Sequence, residues 1–304
     1  MSKVTVSKIN TCTGHRDCVY ALADCPDSQY FFSSGGDGMI VKWDIENPEE
    51  GQLLAQVKTS VYSLRYIPEN NFLMLGQNLE GLQIIDVENQ KISASLKLDS
   101  CLIFWIETYK DVAYVAMQNG YVYLIDIFSM AILAKIHCSE QSARVIAINP
   151  VADELAVGYS DYVIRIFDLT GGSLKREMRA HSNSVFALRY SPDGKYLLSG
   201  GRDAHLKVWN VEENYELHED IIAHMYTIND VVFSPNGKHF VTCSMDKSIK
   251  VWDYSTFTLL KVIDKSRHAG HGNSINKLIW THFNNQLISC SDDRTISLWD
   301  LKFS

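Results

Sequence analysis

The chain has 304 residues, 46% of them hydrophobic and 21% charged, with a formal net charge of −8 at pH 7. That balance can bury a large core and excludes a mainly disordered chain. The excess of acid makes a nucleic-acid backbone a poor default partner, because like charges repel unless a local basic face intervenes. No apolar run is long enough for a membrane span, and the N-terminal stretch lacks the basic and apolar segments of a secretory signal, so neither membrane insertion nor export is expected.

Taken in chain order, Lys3 to Asn10 (KVTVSKIN) alternates like a strand. Beyond it a hydrophobic residue followed by Asp or Asn recurs at Trp43-Asp44, Ile85-Asp86, Ile125-Asp126, Phe167-Asp168, Trp209-Asn210, Trp252-Asp253 and Trp299-Asp300. The steps between these repeat ends are 42, 40, 42, 42, 43 and 47 residues. A period in the forties is too short for a domain and suits a stacked supersecondary unit. Seven such units fill residues 1–304 as a single domain.

Unit six shows what each unit contains: INDVVFS, the turn Ser234-Pro235-Asn236-Gly237, HFVTCS, a second turn at Met245-Asp246-Lys247, SIKVWDY, a polar loop and TLLKVI. These are four strands without a helical period. Unit five has the matching turn Ser191-Pro192-Asp193-Gly194, with Pro and Gly where a reverse turn wants fixed and permissive φ. The fold class is therefore all-β, with inner strands apolar on both faces, as when each small sheet packs between two neighbours.

Four units keep a second, stricter pattern: His15, Ser33, Asp37 and Trp43; His181, Ser199, Asp203 and Trp209; His224, Thr242, Asp246 and Trp252; His271, Ser289, Asp293 and Trp299. The offsets from His are 18, 22 and 28 each time. On these residues the chain resembles the WD-repeat family over essentially its whole length. The resemblance implies a seven-bladed β-propeller of four-stranded antiparallel blades, in which each set forms a buried hydrogen-bonded chain. Unit four keeps Asp161 but is read with Gln141, Val157 and Phe167 at the other places, while units two and three have Leu79 and Asn119 where the Asp would be. Those blades are expected to rely on packing, through runs such as FLMLG and YVYLID. The last unit ends almost immediately after Asp300, so the N-terminal strand is expected to supply its outer strand and close the ring.

A Ser–His–Asp trio invites a hydrolase reading, but catalysis needs one exposed nucleophile beside a base, and here the trio repeats at fixed offsets tied to a Trp. Repetition marks architecture, and no GxSxG elbow is present, so no catalytic residue is assigned. Seven cysteines (Cys12, Cys18, Cys25, Cys101, Cys138, Cys243, Cys290) contain no CxxC, which argues against a disulfide framework or zinc site. With no export signal, a reducing, cytoplasmic or more broadly intracellular setting is expected. His268 and His271 lack a third ligand at metal spacing, and the glycines at 35, 36, 38, 200 and 201 fall on strand-to-strand turns. No metal and no cofactor are expected. The acidic runs DIENPEE and EENYELHED and the cluster Lys175, Arg176, Arg179 read as solvated faces.

The resemblance implies that the residue five after each His, and the residue before each turn Asp, ring the central channel on one face. The first rule gives Tyr20, Phe186, Asn229 and Asn276, with Tyr62 and Ile146 as equivalents in weaker units. The second gives Gly36, Ser160, Arg202, Met245 and Asp292. Tyr, Phe, Met and Arg are hot-spot types, although the same aromatics also serve to fill a channel. The expected function is a non-enzymatic scaffold binding a protein or peptide, within a multiprotein complex or alone, through this channel mouth. The alternative is a small-ligand or enzymatic propeller using the channel as its pocket, with Arg144, Arg202 and Asp292 as its titratable groups. A third reading places partners along the blade sides within residues 57–135.

Overall fold

The computed structural model describes residues 4–26 and 28–304; Lys3, where the N-terminal alternation begins, lies outside them. The strands form seven four-stranded antiparallel sheets, the blades of a β-propeller. Blades one to six span residues 19–56, 61–97, 103–137, 143–179, 185–222 and 228–263 in sequence order. Blade seven takes three strands from residues 275–303 and its fourth, outermost strand from Val4–Cys12. That strand runs antiparallel to Ile296–Phe303, from Val4 opposite Phe303 to Cys12 opposite Ile296, so the two ends of the chain close the ring. The 47-residue last step is accounted for by a loop carrying a one-turn helix, Lys265–His268, capped by the Asp264 side chain accepting from the Arg267 N–H.

Burial falls outward across each blade. Second strands such as Phe72–Gln77, Val112–Met117 and Glu154–Tyr159 are buried on both faces after their first residue. Outermost strands such as Lys91–Lys97 and Glu216–Ile222 are largely exposed and carry charges that discourage edge pairing with another chain. Contacts concentrate in two units, the described residues up to 74 with 84–93 and 229–304, and residues 75–83 with 94–228. The first has two apolar clusters, one built on Phe31, Trp43 and Leu298 and one on Val251, Trp280 and Trp299. The second has a cluster that includes Trp105, Tyr159, Phe167 and Trp209.

Two local features position the site. In five blades the pairing of the first strand with the second skips one residue, and the skipped residues are Tyr20, Phe104, Arg144, Phe186 and Asn276. A bulge of this kind leaves a residue out of the ladder and re-aims its side chain. The second feature is the tight turn after the tetrad Asp. At Gly38, φ is +70° and an added Cβ would lie 2.3 Å from the Val57 carbonyl oxygen, so this turn has room only for hydrogen.

Ring closure gives a direct expectation. Deleting residues 1–12 exposes the edge of Ile296–Phe303 and removes Val4 and Cys12 from the core. With an unfolding entropy of about 2.1 cal/mol/K per residue, a loss of about 2 kcal/mol lowers the melting temperature of a domain this size by roughly 3 °C, so the truncated protein should melt at least about 3 °C lower by differential scanning calorimetry. An unchanged melt would mean that the strand contributes nothing to closure.

Candidate functional site

The buried polar chains come first, because they hold the turns that present the site. In blade one, His15 Nδ1 lies 3.0 Å from Asp37 Oδ2, His15 Nε2 2.7 Å from Ser33 Oγ, and Trp43 Nε1 donates to Ser33 Oγ at 2.7 Å. Blade five repeats this with 3.0 Å from His181 to Asp203, 2.8 Å from His181 to Ser199 and 2.9 Å from Trp209 to Ser199. Blade seven has 3.0, 2.9 and 2.9 Å among His271, Asp293, Ser289 and Trp299. In blade six, Trp252 donates to Thr242 Oγ1 at 3.0 Å and His224 is buried. Indole nitrogen only donates and carboxylate only accepts. With neutral imidazole the order is therefore fixed: Trp N–H to Ser, Ser O–H to His Nε2, His Nδ1–H to Asp.

Each carboxylate also takes backbone donors. Asp37 Oδ2 accepts from Arg16 N at 2.8 Å, Asp203 Oδ2 from Ser182 N at 2.8 Å and Asp293 Oδ2 from Gly272 N at 2.8 Å. Burial opposes ionisation of Asp203, Asp293 and Asp37. The facing histidine and the backbone N–H groups outweigh it, so all three carboxyls are held below the ordinary carboxylate range. The serines are fully buried, which leaves no exposed nucleophile in these trios.

The degenerate blades differ from the expectation of packing alone. In blade four the position 22 residues before Asp161 is Ser139, not Gln141, and Ser139 Oγ donates to Asp161 Oδ2 at 2.7 Å. Arg165 adds bonds to Asp161 at 2.8 Å and Glu177 at 2.6 Å. In blade three, Asp99 Oδ2 accepts from Asn119 Nδ2 at 3.0 Å and from the Tyr123 hydroxyl at 2.7 Å. In blade two, where Leu79 is exposed, the neighbouring Asn78 Oδ1 accepts from Ile103 N at 2.9 Å.

The candidate ring residues separate into two sets, one in each unit. In the first, Tyr20 and Tyr62 meet edge to face at 4.8 Å, and burial raises the Tyr20 phenol, as does its bond with Cys18. Asn276 Nδ2 donates to Val19 O at 2.9 Å and to Asp292 Oδ1 at 2.7 Å, and Asn229 Nδ2 donates to Ile275 O at 2.8 Å. Both amides are thus engaged in tying one blade to the next. Met245 is 55% exposed. Gly36 packs against the Asp17 side chain.

In the second unit the bulge of blade four is Arg144. Ile146, two residues on, pairs with Val157 and is buried, so it does not occupy a ring position. The Arg144 guanidinium lies over Phe104 at 4.1 Å and Phe186 at 5.1 Å, and its Nε donates to Ser160 Oγ at 2.8 Å. Burial, then the positive field of Arg202, lowers its pKa. Phe104 escaped the motif count because blade three has neither the His nor the Trp from which to count. Counting 24 residues back from the closing Asp168 puts Arg144, named from the sequence for its charge, in the same register as Tyr20, Tyr62, Phe186, Asn229 and Asn276.

Closed antiparallel blades pinned by Trp–Ser–His–Asp chains define a propeller of the WD-repeat class. The family model described as WD domain, G-beta repeat matches residues 6–44, 172–210, 216–253 and 263–300, just over half of the chain, and the chain belongs to that family. It is 25% identical to Protein groucho of Drosophila melanogaster over 224 residues, covering 69% of this chain and 30% of that protein. It is also 25% identical to a Striatin homolog of Dictyostelium discoideum over 198 residues, covering 65% of this chain and 21% of the relative. The chain thus spans less than a third of either relative. Among solved structures, the WD40 beta propeller domain of Doa1 superposes with a TM-score of 0.87 at 15% identity, covering 98% of this chain and 97% of the other. That likeness speaks to the fold alone.

Two outcomes follow for the buried chains. Ser199→Ala leaves His181 Nε2 and Trp209 Nε1 without their shared partner. At about 1–3 kcal/mol per buried unsatisfied group, urea denaturation should register a loss of about 2 kcal/mol or more. The depressed Asp203 and Asp293 set the pH dependence. Their stabilisation is complete above the unfolded carboxylate pKa of about 4 and is lost as pH falls from there toward the lower folded values. Melting temperature should therefore drop between about pH 5 and 3, and Asp203→Asn, less stable at pH 7, should show a shallower drop.

Proposed function

We propose that residues 1–304 act as a single-domain, non-enzymatic scaffold that takes a protein or peptide partner on the face where the first-strand bulges emerge. The observation that carries this is the chemistry of the bulges. Tyr20, Phe104, Arg144 and Phe186 are all left out of the sheet ladder and partly exposed. They are the aromatic and guanidinium types that anchor interfaces. Tyr62 extends the same register, Arg202 and Met245 stand at the turn position before an Asp, and Asp292 is steadied by Asn276. Membership of the WD40 family supports the scaffold reading. So does the burial of every Ser–His pair in the tetrads, which withholds the groups that would otherwise suggest hydrolysis. The net negative charge and the absence, among the described residues, of a helix long and apolar enough to cross a membrane favour a protein partner met inside the cell.

The mechanism is insertion of a peptide segment at the channel mouth, with aromatic rings supplying apolar area and charged groups setting orientation. A quantitative pull-down from extract of the source cells compares wild type with a Tyr20→Ala, Phe186→Ala, Arg202→Ala variant of unchanged melting temperature. Proteins retained by wild type should fall at least about tenfold with the variant, since losing one such anchor commonly costs 1–2 kcal/mol. Equal recovery on both baits would place binding on the blade sides or the opposite face.

A further inference from the structure

In the second unit, Arg144 and Arg202 stand on neighbouring blades without a counter-ion among the described residues. Asp161, which follows Ser160, is engaged by Arg165 at 2.8 Å, and Asp203, which follows Arg202, by His181 at 3.0 Å. The two arginines stand on successive blades and share one hydrogen-bonded frame. Arg144 Nε donates to Ser160 Oγ at 2.8 Å, Ser184 Oγ donates to Ser160 O at 3.3 Å, and Arg202 N donates to Ser184 O at 2.8 Å. Phe104 and Phe186 take up ring contacts with the Arg144 guanidinium at 4.1 and 5.1 Å. Its plane is thereby set, and its two Nη amino groups are left for a ligand.

Such an arrangement is costly without an anion. Arg144 is partly withdrawn from water and lies within the positive field of Arg202, and an arriving negative group relieves both penalties. We propose that Arg144 and Arg202 form a receptor for the side-chain carboxylate of an Asp or Glu on a peptide ligand, with Phe104, Phe186 and Ser160 holding the Arg144 fork in place. This rests on the scaffold reading and gives the partner its chemistry: an acidic residue beside an apolar one.

Carboxylate is favoured over phosphate by the donors on offer. A flat guanidinium edge matches a planar carboxylate in two parallel bonds. Phosphate sites commonly add a cradle of free backbone N–H groups. Here the two N–H groups at the equivalent turn positions are occupied, Arg202 N by Ser184 O at 2.8 Å and Ser160 N by Ser142 O at 2.9 Å.

The test uses the full chain and four fluorescein-labelled twelve-residue peptide pools, random except for a central Glu, Gln, phosphoserine or Arg, read by fluorescence anisotropy. The Glu pool should bind at least about tenfold tighter than the Gln and Arg pools. That preference should disappear in Arg144→Gln and in Arg202→Gln, and should weaken as salt is raised. Arg202 is exposed, so its variant reports even if Arg144→Gln folds poorly. Equal binding of Glu and Gln pools, a preference that survives both substitutions, or no binding by any pool would overturn the receptor. A phosphoserine pool that outbinds the Glu pool would overturn the carboxylate assignment in favour of phosphate. The pull-down separates the two levels: a partner still lost with the triple variant while no Glu preference exists removes the receptor and keeps the scaffold, whereas equal recovery removes the scaffold itself.

Discussion

The structure depends on how one blade turn is held. A serine or threonine hydroxyl can accept from an indole and donate to an imidazole at once, and the imidazole passes the direction on to a carboxylate. In blades one, five and seven this chain runs from the third strand, through the second, to the loop entering the blade and the turn leaving the second strand. It therefore fixes the register of two strands and the position of two loops with a single set of buried bonds. The carboxylate also receives a backbone N–H from the entering loop, so the first strand begins at a fixed place. The bulged residue follows from there, and the candidate binding surface inherits its geometry from the buried polar chain.

Where the chain is missing, the same corner is pinned by other chemistry. Asp99, Asn119 and Tyr123 do this in blade three; Ser139, Asp161, Arg165 and Glu177 do it in blade four. Buried polar groups need partners regardless of which residues supply them, so losing the tetrad types did not leave these blades to apolar packing alone. The blade-four network also places Ser160, beside Asp161, where it can orient Arg144. A substituted corner and a distinctive surface residue thus occur together.

The seven-fold period and the four tetrads were legible in the sequence because they recur at fixed offsets, and so was closure by the N-terminal strand, since blade seven lacks a fourth strand of its own. The substituted corners were not. Their pairings, such as Tyr123 with Asp99, use residue types outside the repeating set, and nothing in one sequence marks them as partners. The candidate ring residues were simplest to count where a His gave a starting point. Tyr20 and Phe186 follow from that count; in blade four, which has Ser139 in place of His, the count pointed to Ile146 while Arg144 was named for its charge, and Phe104 had no anchor at all. The amides of Asn229 and Asn276 illustrate the converse: the right register does not reveal that a side chain is already engaged by the neighbouring blade.

The central claim is the direction of the buried hydrogen-bonded chain, and histidine nitrogen NMR reads it directly. In protein labelled with nitrogen-15 at the histidine rings, His15, His181 and His271 should each show a slowly exchanging, downfield Nδ1–H and an unprotonated Nε2 at neutral pH. Resonances assigned through His→Gln variants that instead show protonated Nε2, or ring protons exchanging freely with water, would contradict the account.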